Sequence, residues 1–327
     1  GAGFPTGIKW QTVHDQPATP KYIICNADEG DSGTFADRMI MEGDPFTLLE
    51  GMAIAGVAVG AEHGYIYLRS EYPDAERALK RAIEVAREQG MLGADVLGSG
   101  KAFDIEVRVG AGAYICGEET SLLESLEGKR GLVRFKPPLP AIQGFMGRPT
   151  VINNVISLST VPAIMAQGAA SYHDFGINKS RGTLTIQLCG NVARPGLYEM
   201  PFGVTLEHLI NTIGGGTASG RPVRAVQVGG PLGAYVPAKH LGTELGYEEM
   251  AKINPGLIYC SISAFGSTGP RAHLTGYDNI LQGFSGMMAM TSHADDGRPL
   301  KTGAPVVDYA TGTTAAFAIT AALLQRE

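Results

Sequence analysis

Short apolar runs of strand length alternate with helix-period segments over the first half of the chain. Residues 22–25 (YIIC), 65–68 (YIYL) and 103–109 (FDIEVRV) read as buried strands, and 150–155 (TVINNV) is a further short apolar run ending in amides. Between them, Asp44-Pro45 places a capping acid before a Pro at the first helical position. That opens a helix of small and apolar residues up to Gly60. Asp74 is expected to cap the next helix, with Ala75, Ala78, Leu79, Ala82, Ile83 and Ala86 facing inward and Gly90 ending it. Leu122, Leu123 and Leu126 then share one helical face. Gly128 suits the end of that helix, and Lys129 and Arg130 suit its negative pole. Strands alternating with helices predict a parallel sheet covered on both faces, over residues 1–168.

The pattern changes after Gly168. Residues 183–188 (TLTIQL), the hairpin-like PGLYEM, a short helix near 206–213 and residues 225–228 predict a β-β-α-β module of β-grasp type over 169–237. From Ala238 it changes again. A helix is expected over 244–252, a strand over 257–263, and a glycine-broken helix over 278–290. Val306-Val307-Asp308 precedes a final alanine-rich helix.

Composition narrows the class. The chain has 327 residues, 18% charged and 44% hydrophobic, with a net charge of −6, which lacks the basic excess of a nucleic-acid binder. No apolar stretch approaches the ~20 residues of a membrane span, and no signal peptide is visible. Cys25, Cys116, Cys189 and Cys260 are scattered without a CxxC pair. They read as reduced thiols of a cytoplasmic protein and give no metal or self-contained iron–sulfur site.

Candidate chemistry concentrates in loops after the strands. GAGAYICGEETSLLESLEGKRG (residues 110–131) is a glycine-broken strand-to-helix turn. Gly110, Gly112 and Gly117 remove Cβ atoms where a flat or phosphorylated ligand could meet the backbone. Glu118 and Glu119, expected in the first helical turn, either complement the helix dipole or accept hydroxyls of a ligand. Asn26, Asp28, Glu29 and Asp31 follow the first strand, where open α/β sheets bind ligands; a solvated acidic turn is the alternative. A calcium loop of EF-hand type is ruled out by their spacing. Gly1, Gly3 and Gly7 with Phe4 and Lys9 form either a phosphate or flavin cradle or a frayed terminus. The proline-rich RFKPPLP is expected to be extended, holding Lys136 beside the glycine turn or acting as a stiff connector. Asn153 and Asn154 are turn formers or donors to a polar ring.

The motifs GAGFPTGIKW, YIICNADEGDSGTFADRMIMEGDPF, GAGAYICGEETSLLESLEGKRG, KPPLP and TVINNV occur in this order over residues 1–237. Together they resemble the NADH-binding flavoprotein subunit of respiratory complex I, NAD-reducing hydrogenases and NAD-dependent formate dehydrogenases. The wording DEGDSGTF with GDPF is most similar to the formate dehydrogenase beta subunit. The resemblance implies a Rossmann-like FMN-binding domain followed by a ubiquitin-like β-grasp (SLBB-like) domain. It also implies a diaphorase activity that passes hydride between NAD(H) and bound FMN. By this resemblance Gly1, Gly3 and Lys9 cradle FMN, and Asn26, Asp28 and Glu29 line it. Tyr114, Gly117 and Glu118 contact the flavin, and Ile152, Asn153 and Asn154 hold its ribityl-phosphate side. Phe4, Asp31, Glu119 and Lys136 fall near NADH, and Glu119 is the candidate catalytic residue there. Iron–sulfur electron-transfer subunits and a formate dehydrogenase, hydrogenase or complex I assembly are the implied partners. The family pattern begins three residues before Gly1. It also continues into a helical domain with a 4Fe–4S cluster, whose SCGKCTPCR motif is absent, so that cluster is not expected.

GYEEMAKINPGLIYCSIS, FGSTGP, GYDNILQGFSGMMAMT and GAPVVDYATG, over residues 241–327, resemble class III CoA-transferases instead. That resemblance implies a partial α/β CoA-transferase segment over 238–327, with Asp308 as the carboxylate nucleophile toward an acyl-CoA; a helix cap is its alternative role. A junction is expected near 236–241, either a fusion of two gene fragments, natural or by an assembly error, or a truncated piece of a longer sequence, with some apolar surface exposed on the tail. The three readings are an NADH:FMN oxidoreductase, an acyl-CoA:carboxylate CoA-transferase and a non-catalytic fragment.

Overall fold

The computed structural model describes residues 5–31, 33–230, 233–245, 281–282, 285, 287–290, 298–300, 307 and 310. The chain divides into two compact units, Gly1–Ile253 and Asn254–Glu327.

In the first unit, β1 (Tyr22–Ala27), β2 (His63–Leu68), β3 (Asp104–Val109) and β4 (Thr150–Asn154) form one parallel sheet in the order β3-β2-β1-β4. Side chains two residues apart share a face, and the two faces have separate cores. Ile23, Cys25, Ala27, Ile66, Leu68, Ile105 and Val151 pack beneath α2 (Ala36–Gly43), α3 (Pro45–Val59), α4 (Pro73–Glu88) and α7 (Val155–Gln167). Val13 of α1 (Thr6–His14) joins the same core. Ile24, Tyr67 and Ile152 pack on the opposite face with Leu122 and Leu123 of α5 (Glu119–Leu126), and with Cys116 and Phe145. Two short helices, α6 (Pro140–Gln143) and α8 (Ala169–His173), flank β4 and α7.

The helix ends follow the expected chemistry, with two changes. Asp44 accepts from Thr47 N (3.3 Å) at the start of α3, and Gly60 ends that helix at φ 75°. Tyr72, not Asp74, occupies the cap of α4, because Pro73 takes the first helical position and moves Asp74 into the first turn. Ala78 is half-buried, while Ala75, Leu79, Ala82, Ile83 and Ala86 are buried as expected. Glu118 is likewise the cap of α5 and not part of its first turn. The proline-rich run is not extended throughout. It bends at 136–138, where the Lys136–Pro137 and Pro137–Pro138 peptide bonds are cis.

The first strands after α8, β5 (Gly176–Ile177) and β6 (Ser180–Arg181), form a small hairpin. Then come β7 (Thr183–Leu188) paired antiparallel with β8 (Gly196–Pro201), a helical turn over His208–Ile213, and β9 (Ala225–Val228) paired antiparallel with β10 (Ala234–Pro237). The expected β-β-α-β thus gains a strand. Leu188, Leu206, Leu209, Ile210, Val236, Leu241 and Leu245 form its core. Residues 244–245 do not begin a helix. Glu244 bridges Thr205, and Leu245 exchanges backbone bonds with Gly203 and Val204 (2.9 and 2.8 Å). The expected elements over 246–280, and the helix after Asp308, lie outside the described residues. Of the helix expected over 278–290, residues 281–282 and Met287–Met290 are helical. Among the described residues, no helix is long and apolar enough to cross a membrane.

Candidate functional site

Strand order fixes where a ligand can enter. From β1 the chain steps outward to β2 and β3, then crosses back to place β4 on the other side of β1. The loops leaving the carboxyl ends of β1 and β4 therefore diverge, and open α/β sheets bind ligands at such a switch point. Asn26 and Asp28 leave β1 there, Asn153 and Asn154 end β4, and the glycine turn with Glu118 and Glu119 leaves the carboxyl end of β3.

The glycine turn is tied to β1 by Asn26, whose Nδ2 donates to Gly117 O at 2.8 Å. A Cβ on Gly117 would stand 3.4 Å from Asp28 O and 3.7 Å from Asp28 Oδ2, so the absent side chain leaves a narrow gap, the Gly117 cleft, beside this carboxylate. Asp28 Oδ2 is buried and has no hydrogen-bond partner among the described residues. Burial raises the Asp28 carboxyl to about 6, with Arg69 opposing the shift and Glu71 adding to it.

Two lysines and two glutamates face each other beside this cleft. Glu118 Oε2 accepts from Thr120 N (2.8 Å), Thr120 Oγ1 (2.5 Å) and Ser121 N (2.9 Å), which caps α5 and leaves Oε1 for Lys136 Nζ at 3.2 Å. Burial disfavours its charge, but the bonds from Thr120, Ser121 and Lys136 hold Glu118 below the usual carboxylate value. Lys136 Nζ also donates to Glu119 Oε1 at 2.6 Å, and Lys9 Nζ lies 3.5 Å from Glu119 Oε2. Lys9 is anchored by Ile152 O at 2.9 Å. Tyr114 OH donates to Asp31 Oδ1 at 2.7 Å, both on the exposed rim. A Cβ on Gly30 would meet the Tyr114 ring at 2.8 Å.

Other expected site residues are engaged structurally. Glu29 caps α2, accepting from Asp37 N (2.9 Å), Arg38 N (3.3 Å) and Tyr72 OH (2.9 Å), so protein donors already fill its carboxylate. Asn154 caps α7 through Ile156 N (2.9 Å) and donates to Asp37 Oδ2 (2.8 Å). Asn153 Oδ1 accepts from Trp10 Nε1 at 2.8 Å. Gly1, Gly3, Phe4 and Asp308 lie outside the described residues.

Sequence reasoning missed Trp10, Thr120, Arg134 and Asp37. Trp10, the single Trp of the chain and next to Lys9, carried a signal. Asp37 carried none, being one more acid near a helix start. It is 3% exposed, and burial, together with the charge of Glu29, raises it to about 7.

The residues present fit FMN. An unpartnered buried carboxylate oxygen suits a ribityl hydroxyl, the glycine turn admits a flat ring, and the lysines supply charge for a phosphate.

Residues 1–163 match the Nuo51 FMN-binding domain, 185–234 the SLBB domain, and 234–327 the CoA-transferase family III. The chain is similar to the NADP-reducing hydrogenase subunit HndC of Solidesulfovibrio fructosivorans, 48% identical over 77% of this chain and 51% of that protein. It is also similar to the F subunit of the NADH-quinone oxidoreductase of Aquifex aeolicus, 44% identical over 86% of this chain and 62% of the relative. The crystal structure of an NAD+-reducing NiFe-hydrogenase in the H2-reduced state superposes with a TM-score of 0.69 at 41% identity, over 76% of this chain and 42% of that one. The chain thus spans between half and two thirds of the length of these curated relatives. Fold, site and matches converge: residues 1–163 are an FMN-binding domain of the Nuo51 type, followed by an SLBB domain and a segment matching CoA-transferase family III.

Proposed function

We propose that residues 1–245 form an NADH:FMN oxidoreductase module, a diaphorase in which reducing equivalents pass between NAD(H) and bound FMN. The observation that carries the reading is the buried, unpartnered Asp28 Oδ2 beside the Gly117 cleft and the Lys9–Glu119–Lys136 group. FMN supplies a two-electron acceptor when bound. Around it, Asp28 accepts a ribityl hydroxyl, Asn26 holds the Gly117 turn open, and Lys9 offers charge to phosphate together with the backbone of Gly1 and Gly3. Ile152, Asn153 and Asn154 end β4, the strand beside β1, and are proposed for the ribityl-phosphate side of FMN. Glu119 and Asp31 accept ribose hydroxyls of the dinucleotide, Lys136 meets its phosphates, and Phe4 and Tyr114 offer ring faces. Glu118 orients Lys136, and Glu29 fixes the acidic loop by capping α2. These residues would bind and orient the two cofactors, and none of them is assigned a proton-transfer role.

Titration of the chain with FMN, followed by flavin fluorescence, tests the reading. Quenching in the wild type, weakened about tenfold in Asp28→Ala, is the expected result. Equal affinity in both chains would remove Asp28 from the site.

In finer detail, the DEGDSGTF and GDPF wording favours a formate dehydrogenase beta-type subunit, with iron–sulfur and formate-oxidising subunits as cytoplasmic partners. Co-purification with a formate-oxidising subunit tests this against a hydrogenase diaphorase. The SLBB module is proposed to run from residue 169 to Leu245, past its expected end at 237, because Leu241 and Leu245 belong to its core. A second reading rests on the family III match over 234–327 and assigns CoA-transferase chemistry to Asp308. An acyl-enzyme mass shift, lost in Asp308→Asn, would support it.

A further inference from the structure

The loop carrying Lys136 lies between α5 and β4 and belongs to no sheet, so no backbone ladder holds it. Side-chain bonds hold it instead, and the Arg134 guanidinium makes three of them, beside the Lys129–Glu127 ion pair at 2.8 Å. Arg134 Nε donates to Glu124 Oε1 at 2.5 Å, Nη2 lies 2.7 Å from Glu127 Oε1, and Nη1 donates to Gly144 O at 3.0 Å. The first two partners are Glu124 in the last turn of α5 and Glu127, its C-cap, and the third lies at the far end of the same loop. Glu127 Oε1 also accepts from Met146 N at 2.8 Å, closing the loop on the helix a second time. The Glu127 side chain is 5% exposed, Glu124 18% and Arg134 23%, so solvent screens these charge-assisted bonds less than surface pairs.

The backbone continues the connection into the pocket. Arg134 N donates to Thr120 Oγ1 at 2.8 Å, and Thr120 Oγ1 donates to Glu118 Oε2 at 2.5 Å. Glu118 Oε1 then meets Lys136, whose other partner is Glu119. A lysine ammonium on a flexible stem gains most from such preorganisation. Without it, ordering of the loop would subtract from the binding of a dinucleotide phosphate.

We propose that Arg134 is a positioning residue: by clamping the 129–148 loop to α5 it holds the Lys136 ammonium between Glu118 and Glu119, ready for the dinucleotide phosphates. The proposal rests on the reading of the pocket given above. Lysine at 134 cannot replace arginine, because one point charge does not span three acceptors on two segments.

The test combines hydrogen exchange with equilibrium binding on the full chain. In Arg134→Gln, amides of residues 132–139 exchange at least tenfold faster while those of β1 and α5 keep their protection. In the FMN-loaded variant, the dissociation constant for NAD+ rises about tenfold, and FMN retention stays within twofold of wild type. Lys136→Gln alone raises the constant by a similar factor, and the double variant raises it no further, since one residue acts through the other. Faster exchange with unchanged NAD+ affinity, or full additivity of the two changes, overturns the proposal. Should Arg134→Gln not fold, Glu124→Gln leaves two arms of the clamp in place and is expected to move exchange and affinity about threefold; no movement in either overturns it. If the wild type binds no NAD+, the reading of the pocket has failed and this proposal falls with it, while the exchange data still report separately whether the clamp exists.

Discussion

At the residue scale, the behaviour of the buried acids follows from what surrounds each one. Asp37 is faced by Glu29 from the acidic loop, by the Asn154 amide from the end of β4, and by the Cys25 thiol on β1, itself pushed up by burial and by the charge of Asp37. Its carboxyl is raised to about 7 from an ordinary value of 3.8. Between these values the folded state holds a proton that the unfolded state has released, so stability is full below about pH 4 and falls as pH rises toward 7. The loss approaches about 1.4 kcal/mol per pH unit at its steepest. Chemical denaturation of Asp37→Asn across pH 5–8 is expected to show this component of the slope removed. An unchanged slope would mean that Asp37 ionises normally. Gly117 gives a complementary prediction. The contacts of an added Cβ, 3.4 and 3.7 Å, are ordinary, so Gly117→Ala keeps its thermal midpoint within about 2 °C. It fills the gap beside Asp28, however, and weakens FMN binding about tenfold or more, which fluorescence titration reads.

At the scale of elements, α3 and α7 approach so closely that side chains are excluded at the crossing. A Cβ on Gly51 would stand 2.0 Å from Leu158 O, a backbone atom that no rotamer change can move. Gly51→Ala is therefore expected to destabilise the domain by about 3 kcal/mol, read as a lower denaturation midpoint with unchanged slope. Nothing in the sequence marked Gly51 apart from its neighbours in a small-residue helix, because close approach depends on a partner 107 positions away in a fold still unknown. Three strands of the sheet were legible from their short apolar runs, whereas residues 150–155 read only as an apolar run ending in amides and form the fourth strand over Thr150–Asn154. The α3 cap was legible because Asp44-Pro45 carries both signals locally. The α4 cap was misread by two positions, since Pro73 and Asp74 each suit a helix start and the proline takes precedence at the first turn. In the site, Glu118 and Glu119 were legible beside the glycine turn and Asp28 in an acidic loop after β1, while Lys136 beside the turn was one of two alternatives. Their division of labour was not legible. That Glu118 caps while Glu119 pairs with two lysines is decided by one residue of helical phase.

At the scale of the whole molecule, a CoA-transferase match beginning at residue 234 overlaps a β-grasp core that needs Val236, Leu241 and Leu245. Sequence similarity and packing thus set the boundary at different places. Burial of two leucines is worth about 3–6 kcal/mol, a large share of the stability of so small a module. A chain ending at Leu245 is expected to keep protease resistance over 183–237, whereas one ending at Pro237 loses it. Equal resistance of the two fragments would place the boundary at Pro237.

The most direct test of the whole account is the visible spectrum of the FMN-loaded chain before and after anaerobic addition of NADH. The expected result is a protein-bound flavin band that NADH bleaches. A chain that retains no flavin would contradict the assignment of the Asp28–Gly117 cleft, and retained flavin that NADH leaves unbleached would contradict the NADH side of the pocket around Asp31, Glu119 and Lys136.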